Sequence, residues 1–308
     1  MQNAIHLTDR DERILVALAD YRYLTLDLLS RLIGEPGSTE KATGADGKSR
    51  PKSYGFGVQG LAKRLRRLRH VDYVTLLPNP VTVRGFPFKS PPAVYGLANA
   101  AIEILAGNDP HVRQQLRAEI RNNSSLKDHT ITHDLLRAYF HVALELSSKA
   151  NGVALAWFRG REKGFETPDD ESIEQSHIYP DSWFILRRDG RERHFALEVD
   201  MATANVAPNQ SRRTSIRSKM LTYCHHKAEG FQIIWLTKAK KRPTRIRRED
   251  AMMALARELV GEAHSDFFLW LNEDDIPLHK PDTLITENLF SCAYEDDHGH
   301  ALFPYLES

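Results

Sequence analysis

The chain has 308 residues, 41% hydrophobic and 27% charged, with two cysteines and a formal net charge of +1. That composition suits a globular protein of one large or two ordinary domains and excludes a disulfide-stapled scaffold. No stretch reaches the roughly 18–20 apolar residues of a membrane span, and the opening MQNAIHLTDRDER lacks the charged-then-apolar pattern of a signal peptide, so a cytoplasmic location without a membrane partner is expected.

The charge is distributed unevenly. Residues 48–70 hold eight Lys/Arg and no acid, and residues 210–248 hold twelve against the single Glu229. Residues 262–298 reverse this, with ten acids and only Lys280. Two basic segments followed by an acidic one fit polyanion binding, with an acidic region able to shield the basic surface. Solvated faces are the alternative reading.

In chain order, Thr8 can cap a helix, DRDERILVALADY, with acids in its first turn and Ile14, Leu15 and Leu18 on one face. A second helix, TLDLLSRLI, starts at Thr25 and stops at Gly34. Residues 34–53 then read as a polar Gly/Ser/Lys-rich loop. A third helix, VQGLAKRLRRLRH, sets Val58, Leu61, Leu65 and Leu68 on one stripe and leaves Lys63, Arg64, Arg66, Arg67 and Arg69 to cover the rest. The strand YVTLL, a Pro/Gly-broken loop, the strand AVYGL and the helix NAAIEILAG follow. Helix, helix, basic helix and β-hairpin is the order of a winged helix-turn-helix, whose basic helix can lie in a major groove. Lys63, Arg64, Arg66, Arg67 and Arg69 are therefore expected to bind double-stranded DNA, with Lys52 following the backbone. A site-reading winged helix is also expected to dimerise, although no dimer seam is legible.

Residues 108–128 predict a polar linker helix, and the second half reads α-β-β-β-α-β. The helix THDLLRAYFHVALELSSK leads to strands at VALAWFRG, YPDSWFILRR and RHFALEVD, the last two joined by a turn at Arg188-Asp189-Gly190-Arg191. A helix over roughly 210–227, the strand FQIIWLTK, a helix near 249–263 and the strand FFLWL complete an α/β layer. His129 and His133, four apart, are read as packing and capping residues, and Trp157, Trp183, Trp235 and Trp270 as core. Glu145 is read as a solvated helix position.

The run HFALEVD ends an apolar strand in two carboxylates. Residues two apart on a strand share a face, so Glu198 and Asp200 stand side by side, and like charges that close leave one resisting ionisation unless a cation intervenes. Either a metal site lies there or the strand runs out into solvent. Pro180-Asp181 opening one strand and Glu198-Val199-Asp200 closing the next resemble the PD-(D/E)XK nuclease superfamily. More closely, this order is similar to the replication-relaxation family of plasmid and mobile-element proteins, which place a winged helix before such a domain. That family carries a PD strand, an EVD strand end and a later Lys…Tyr, here Lys219 and Tyr223.

The resemblance implies an α+β protein: a winged helix-turn-helix over 1–107, a linker helix over 108–128, a PD-(D/E)XK-like α/β domain over 129–272 and an acidic region over 273–308. It implies a catalytic set of Asp181, Glu198, Asp200 and Lys219, with Mg²⁺ on Asp181, Glu198 and Asp200 if the site is active. Asp200, however, stands where the superfamily places a Lys. The expected function is a DNA-binding regulator or plasmid replication or mobilisation accessory with a degenerate nuclease-like domain, to which Arg212, Arg213 and Arg217 add backbone contacts. The alternatives are an active Mg²⁺-dependent DNA endonuclease and a protein-interaction module. The sharpest geometric expectation is that Asp181, Glu198 and Asp200 converge at one edge of the sheet with Lys219 facing them.

Overall fold

The computed structural model describes residues 6–33, 42–43, 49–50, 55–77, 93–123, 128–159, 164–166, 177–201, 215–238, 242–261, 266–277, 283–286, 289–292 and 302. They form a mixed α+β protein that divides into two units, Met1–Ala138 and Tyr139–Ser308.

In the first unit, α1 (Asp9–Tyr21) opens with a capping box. Thr8 Oγ1 accepts from the Asp11 N–H at 3.4 Å, and the Asp11 carboxylate accepts from the Thr8 N–H at 2.7 Å, so two donors with no intrahelical partner are satisfied reciprocally. The helix ends where Arg22 takes φ 68 and turns the chain into β1 (Leu24–Thr25). Next come α2 (Leu26–Ile33), the short antiparallel pair β2 (Ala42–Thr43) and β3 (Ser49–Arg50), and α3 (Gly55–His70). The β2–β3 pair lies inside the segment expected to be all loop, and Lys52 falls outside the described residues. The strands β4 (Val74–Leu76) and β5 (Val94–Leu97) pair antiparallel, and β1 adds to β5, giving the order β1-β5-β4. The connection at 78–92 is outside the described residues.

Helical spacing explains the core of this unit. Ile14, Leu15 and Leu18 of α1, Leu28 and Leu29 of α2, and Leu61, Leu65 and Leu68 of α3 are all fully buried or nearly so. A further cluster joins Tyr23, Leu77 and Val94 to Ile131 and Leu135. After β5 the chain forms α4 (Ala100–Ala106), α5 (Pro110–Asn123) and α6 (Asp128–Ala150). The division between the two units falls inside α6, beyond the linker drawn from the sequence.

The second unit is built on a six-stranded sheet ordered β13-β12-β11-β10-β9-β6. The strands are β6 (Ala154–Arg159), β9 (Ser182–Arg188), β10 (Arg191–Asp200), β11 (Phe231–Thr237), β12 (Phe268–Asn272) and β13 (Ser291–Cys292). A separate two-residue pair, β7 (Phe165–Glu166) and β8 (His177–Ile178), precedes the hairpin. The hairpin β9–β10 turns at Asp189 (φ 52) and Gly190 (φ 72), where two left-handed residues match the strand twist. From β10 to β12 the strands run parallel, with α7 (Ile216–His225) crossing to β11 and α8 (Arg242–Val260) crossing to β12, and β13 closes the edge antiparallel to β12.

One face of this sheet carries Trp183, Ala196, Ile233, Trp235, Phe268 and Trp270, which pack with Ile216, Met220 and Tyr223 of α7 and Met252 and Ala256 of α8. The other meets α6, where Phe140 lies 5.9 Å from Phe184 and His141 stacks on Trp157 at 3.9 Å. The acidic region is not separate from this unit. Leu284, Ile285, Phe290 and Leu302 are fully buried, β13 pairs with β12, and Arg193 donates to the Leu302 carbonyl at 2.7 Å. Four apolar side chains spread among many acids left no periodic signature in the sequence.

A buried ion pair braces the first unit. Asp11 has no exposed surface, and Arg64 of α3 donates to it through Nε at 2.6 Å and through Nη2. Burial alone would raise the Asp11 pKa, yet the Arg64 and Thr8 hydrogen bonds outweigh it and hold the carboxyl below its ordinary value. Asp11→Ala removes a helix cap and strands the Arg64 guanidinium, so a loss of about 2–3 kcal/mol is expected by chemical denaturation at pH 7. Because the folded-state pKa is depressed, this contribution is full above the ordinary Asp range and disappears as pH falls through the lowered pKa. The stability gap between wild type and Asp11→Asn should therefore close on acidification below about pH 4.

Candidate functional site

Alternation along β10 sends Ala196, Glu198 and Asp200 toward α7 and α8. The hairpin register pairs Leu197 with Ser182, which brings Asp181 opposite Glu198. Asp181 is fixed there by its backbone and side chain together: its N–H donates to Leu197 O at 2.9 Å, and its Oδ2 accepts the Val199 N–H at 2.7 Å. On α7, which Ser215 caps by accepting from the Ser218 N–H at 3.1 Å, Lys219 and Tyr223 lie four apart and so share a face. Lys219 Nζ donates to Glu198 Oε2 at 2.6 Å, and the Tyr223 hydroxyl donates to Oε1.

Charge and burial explain the protonation of this group. Glu198 is 1% exposed. Burial pushes its carboxyl above the usual range, the Lys219 charge pulls it back, and the nearby Asp181 charge pushes it up again. For Lys219, burial would lower the pKa, but the charges of Glu198 and Asp181, with Asp200 behind them, outweigh it and raise it. Tyr223 is held well above its ordinary value by burial and by the Glu198 charge, which keeps it a hydrogen-bond donor.

Asp200 has a partner of its own on the other crossover helix. It stands on the same face, close enough for its charge to be felt at Lys219, but its two oxygens accept from Arg248 of α8, Oδ2 from Nε at 2.6 Å and Oδ1 from Nη2 at 2.8 Å. The register also aligns Asp200 with Thr237 and Thr237 with Asn272, so three neighbouring strands each end in a polar side chain. Glu249 joins two of these ends: its Oε1 accepts from Thr237 Oγ1 at 2.5 Å and from Asn272 Nδ2 at 3.3 Å. Sequence reasoning missed Arg248, Glu249, Thr237 and Asn272. Their signal was the polar residue closing each of FQIIWLT and FFLWLN in step with the end of HFALEVD.

Among the described residues, no three His, Cys, Asp or Glu side chains are grouped to hold a metal ion. Both oxygens of Glu198 and both of Asp200 already accept from protein donors. That donor set fits internal ion pairing better than a Mg²⁺ clamp, which needs free carboxylate oxygens at about 2.0–2.1 Å.

The expected DNA-binding residues separate into groups. Lys63, Arg66, Arg67 and Arg69 are exposed on α3, opposite its buried leucines. Arg64 is not part of that face, being turned onto Asp11 and the His6 carbonyl, because a guanidinium on the inner flank of α3 reaches the buried carboxylate of α1. Arg217 pairs with Glu258 at 2.9 Å, and Arg212 and Arg213 lie outside the described residues. Of the lesser candidates, Glu145 pairs with Lys149 one helical turn on, and His133 Nδ1 lies 3.6 Å from Asp134.

The profile of the replication-relaxation family matches residues 50–232. The chain belongs to that family. No curated protein matches it. The matched span runs from Arg50 at the end of β3 to the first residues of β11, so this replication-relaxation protein carries Asp181, Glu198, Asp200, Lys219 and Tyr223 within the family region. Arg248, Glu249, Thr237 and Asn272 lie beyond it.

The Lys219–Glu198 pair is open to a direct test. Lys219→Met leaves a buried carboxylate with no cation and is expected to cost about 3 kcal/mol or more at pH 8. Since the folded-state pKa of Glu198 is raised, the charged form is the destabilised one, and the deficit should shrink as pH falls and Glu198 takes up a proton. Lys219→Met combined with Glu198→Gln should recover most of the loss, measured as urea midpoints at pH 5 and pH 8.

Proposed function

We propose that this protein is a double-stranded DNA-binding protein of plasmid replication or mobilisation, in which a winged helix-turn-helix reads DNA and a PD-(D/E)XK-like second unit has lost nuclease activity. The observation that carries the DNA-binding reading is α3. Its buried stripe of Leu61, Leu65 and Leu68 presents Lys63, Arg66, Arg67 and Arg69 outward, as a helix seated in a major groove requires. Burial raises the Tyr95 pKa on β5 and the charges of Arg69 and Arg66 oppose that rise, which supports a basic helix close to the hairpin. Membership of the replication-relaxation family supports a DNA partner, and among the described residues no helix is long and apolar enough to cross a membrane.

The reading of the second unit as degenerate rests on charge balance. A hydrolytic site of this kind needs two carboxylates free to hold Mg²⁺, which polarises the phosphate and lowers the pKa of a bound water. Here Lys219 and Tyr223 take up Glu198, Arg248 takes up Asp200, and the Val199 N–H takes up one oxygen of Asp181. The active-endonuclease alternative draws on one observation, that Asp181, Glu198 and Lys219 do come together. In that form Asp181 and Glu198 would be the metal-holding residues and Lys219 would orient water.

A fluorescence-anisotropy titration with a labelled duplex tests the DNA-binding reading. Affinity should fall steeply with salt, with log K against log[salt] sloping by about −0.9 per phosphate neutralised. Arg66→Glu with Arg67→Glu should abolish binding without loss of fold, since neither is buried, whereas Arg64→Glu should unfold the first unit through Asp11. Wild type that fails to bind duplex at low salt would refute the reading.

A further inference from the structure

The first unit carries a second cationic feature, apart from α3. Arg113, Arg117 and Arg121 occur at i, i+4 and i+8 of α5, so they form one stripe with steps of about 6 Å along the helix. The stripe lines a cleft of about 640 Å³ together with Asn99, Pro110 and Gln114. On the other flank of α5, Leu116 is buried, which leaves Arg117 and Arg121 exposed and Arg113 half-buried at the head of the stripe.

Glu103 of α4 is the acid at this cleft. It accepts from Arg113 Nη2 at 3.0 Å and lies 3.7 Å from Arg117 Nη2, while Arg113 Nη2 also donates to the Gly107 carbonyl at 2.6 Å. Arg121 Nε donates to the Arg117 carbonyl at 3.3 Å. Among the described residues that line or flank the cleft, the one carboxylate Glu103 meets two of the three guanidiniums, which leaves positive charge in excess, and the contacts restrain side chains that would otherwise lose more entropy on binding. The Arg113 Nε is buried and has no hydrogen-bond partner among the described residues. All three cations on this helix are arginines, whose planar fork suits bidentate contact with phosphate in a way a lysine does not.

We infer that the arginine stripe of α5 is a separate binding site for the phosphodiester backbone of double-stranded DNA, adding non-specific affinity to the contacts of α3. This rests on the DNA-binding reading above, yet assigns a surface which that reading does not use. Phosphate contacts of this kind position a protein on the duplex without reading bases.

The test uses the full chain and a fluorescein-labelled duplex of random sequence, titrated between 50 and 200 mM salt. Arg117→Gln with Arg121→Gln should weaken binding and reduce the salt slope by about 2, at roughly 0.9 for each phosphate no longer neutralised. Arg117→Lys with Arg121→Lys should keep most of that slope, which a purely structural role would not explain. An unchanged thermal melt confirms that both variants fold. If the Gln variant matches wild type in affinity and slope while Arg66→Glu with Arg67→Glu still abolishes binding, the α5 site is overturned and the α3 reading stands. If wild type binds no duplex, both fall.

Discussion

Glu198 is the constraint around which the second unit is arranged. A carboxylate 1% exposed at the end of a central strand is costly to bury, and it is tolerated because Lys219 and Tyr223 meet its two oxygens from α7. That requirement fixes the rotation and height of α7 over the sheet, since Lys219 and Tyr223 must both face β10. It also ties the β10–α7–β11 crossover to the β9–β10 hairpin, because Asp181 is held opposite Glu198 by the Val199 N–H. The neighbouring Asp200–Arg248 and Glu249–Thr237–Asn272 contacts do the same for α8. Both crossover helices are therefore pinned by polar contacts at the ends of the parallel strands and by apolar packing elsewhere.

Those polar contacts also shape what the site can do. On the proposed reading, a cluster that satisfies its own carboxylates has little drive to bind a divalent ion, and a phosphate approaching it meets cations already committed to neighbours. Lys219 serves as structural counter-ion in this arrangement, so its two possible roles, bracing Glu198 and orienting a water, compete for one ammonium group. In the first unit the basic helix faces no such conflict. Arg64 is given to Asp11, and Lys63, Arg66, Arg67 and Arg69 remain exposed.

Much of this was legible in the sequence, and for identifiable reasons. The helix of α1 was readable from Thr8 to Tyr21 because a cap, first-turn acids and a 3.6-residue apolar period coincide. The β9–β10 turn was readable from Asp189-Gly190, and the opposition of Asp181 to Glu198 followed from the hairpin it creates. What could not be read were long-range ion pairs, because charge on a sequence does not show its partner. Arg64 looked like one more arginine on a basic face, and Arg248 closed a basic run that pointed to solvent, yet both turn inward onto carboxylates. The buried Leu284, Ile285, Phe290 and Leu302 were hidden by the acids around them, and the start of α8 was lost among the same lysines and arginines.

The central claim is that the carboxylate cluster is a braced, non-hydrolytic remnant in a DNA-binding protein. A cleavage assay with Mg²⁺ or Mn²⁺ on supercoiled, linear and single-stranded DNA tests it most directly, with Glu198→Ala alongside. The account predicts no metal-dependent nicking or linearisation by wild type under conditions where it retards duplex DNA. Cleavage by wild type that requires the divalent ion and disappears in Glu198→Ala would contradict it and establish the endonuclease reading.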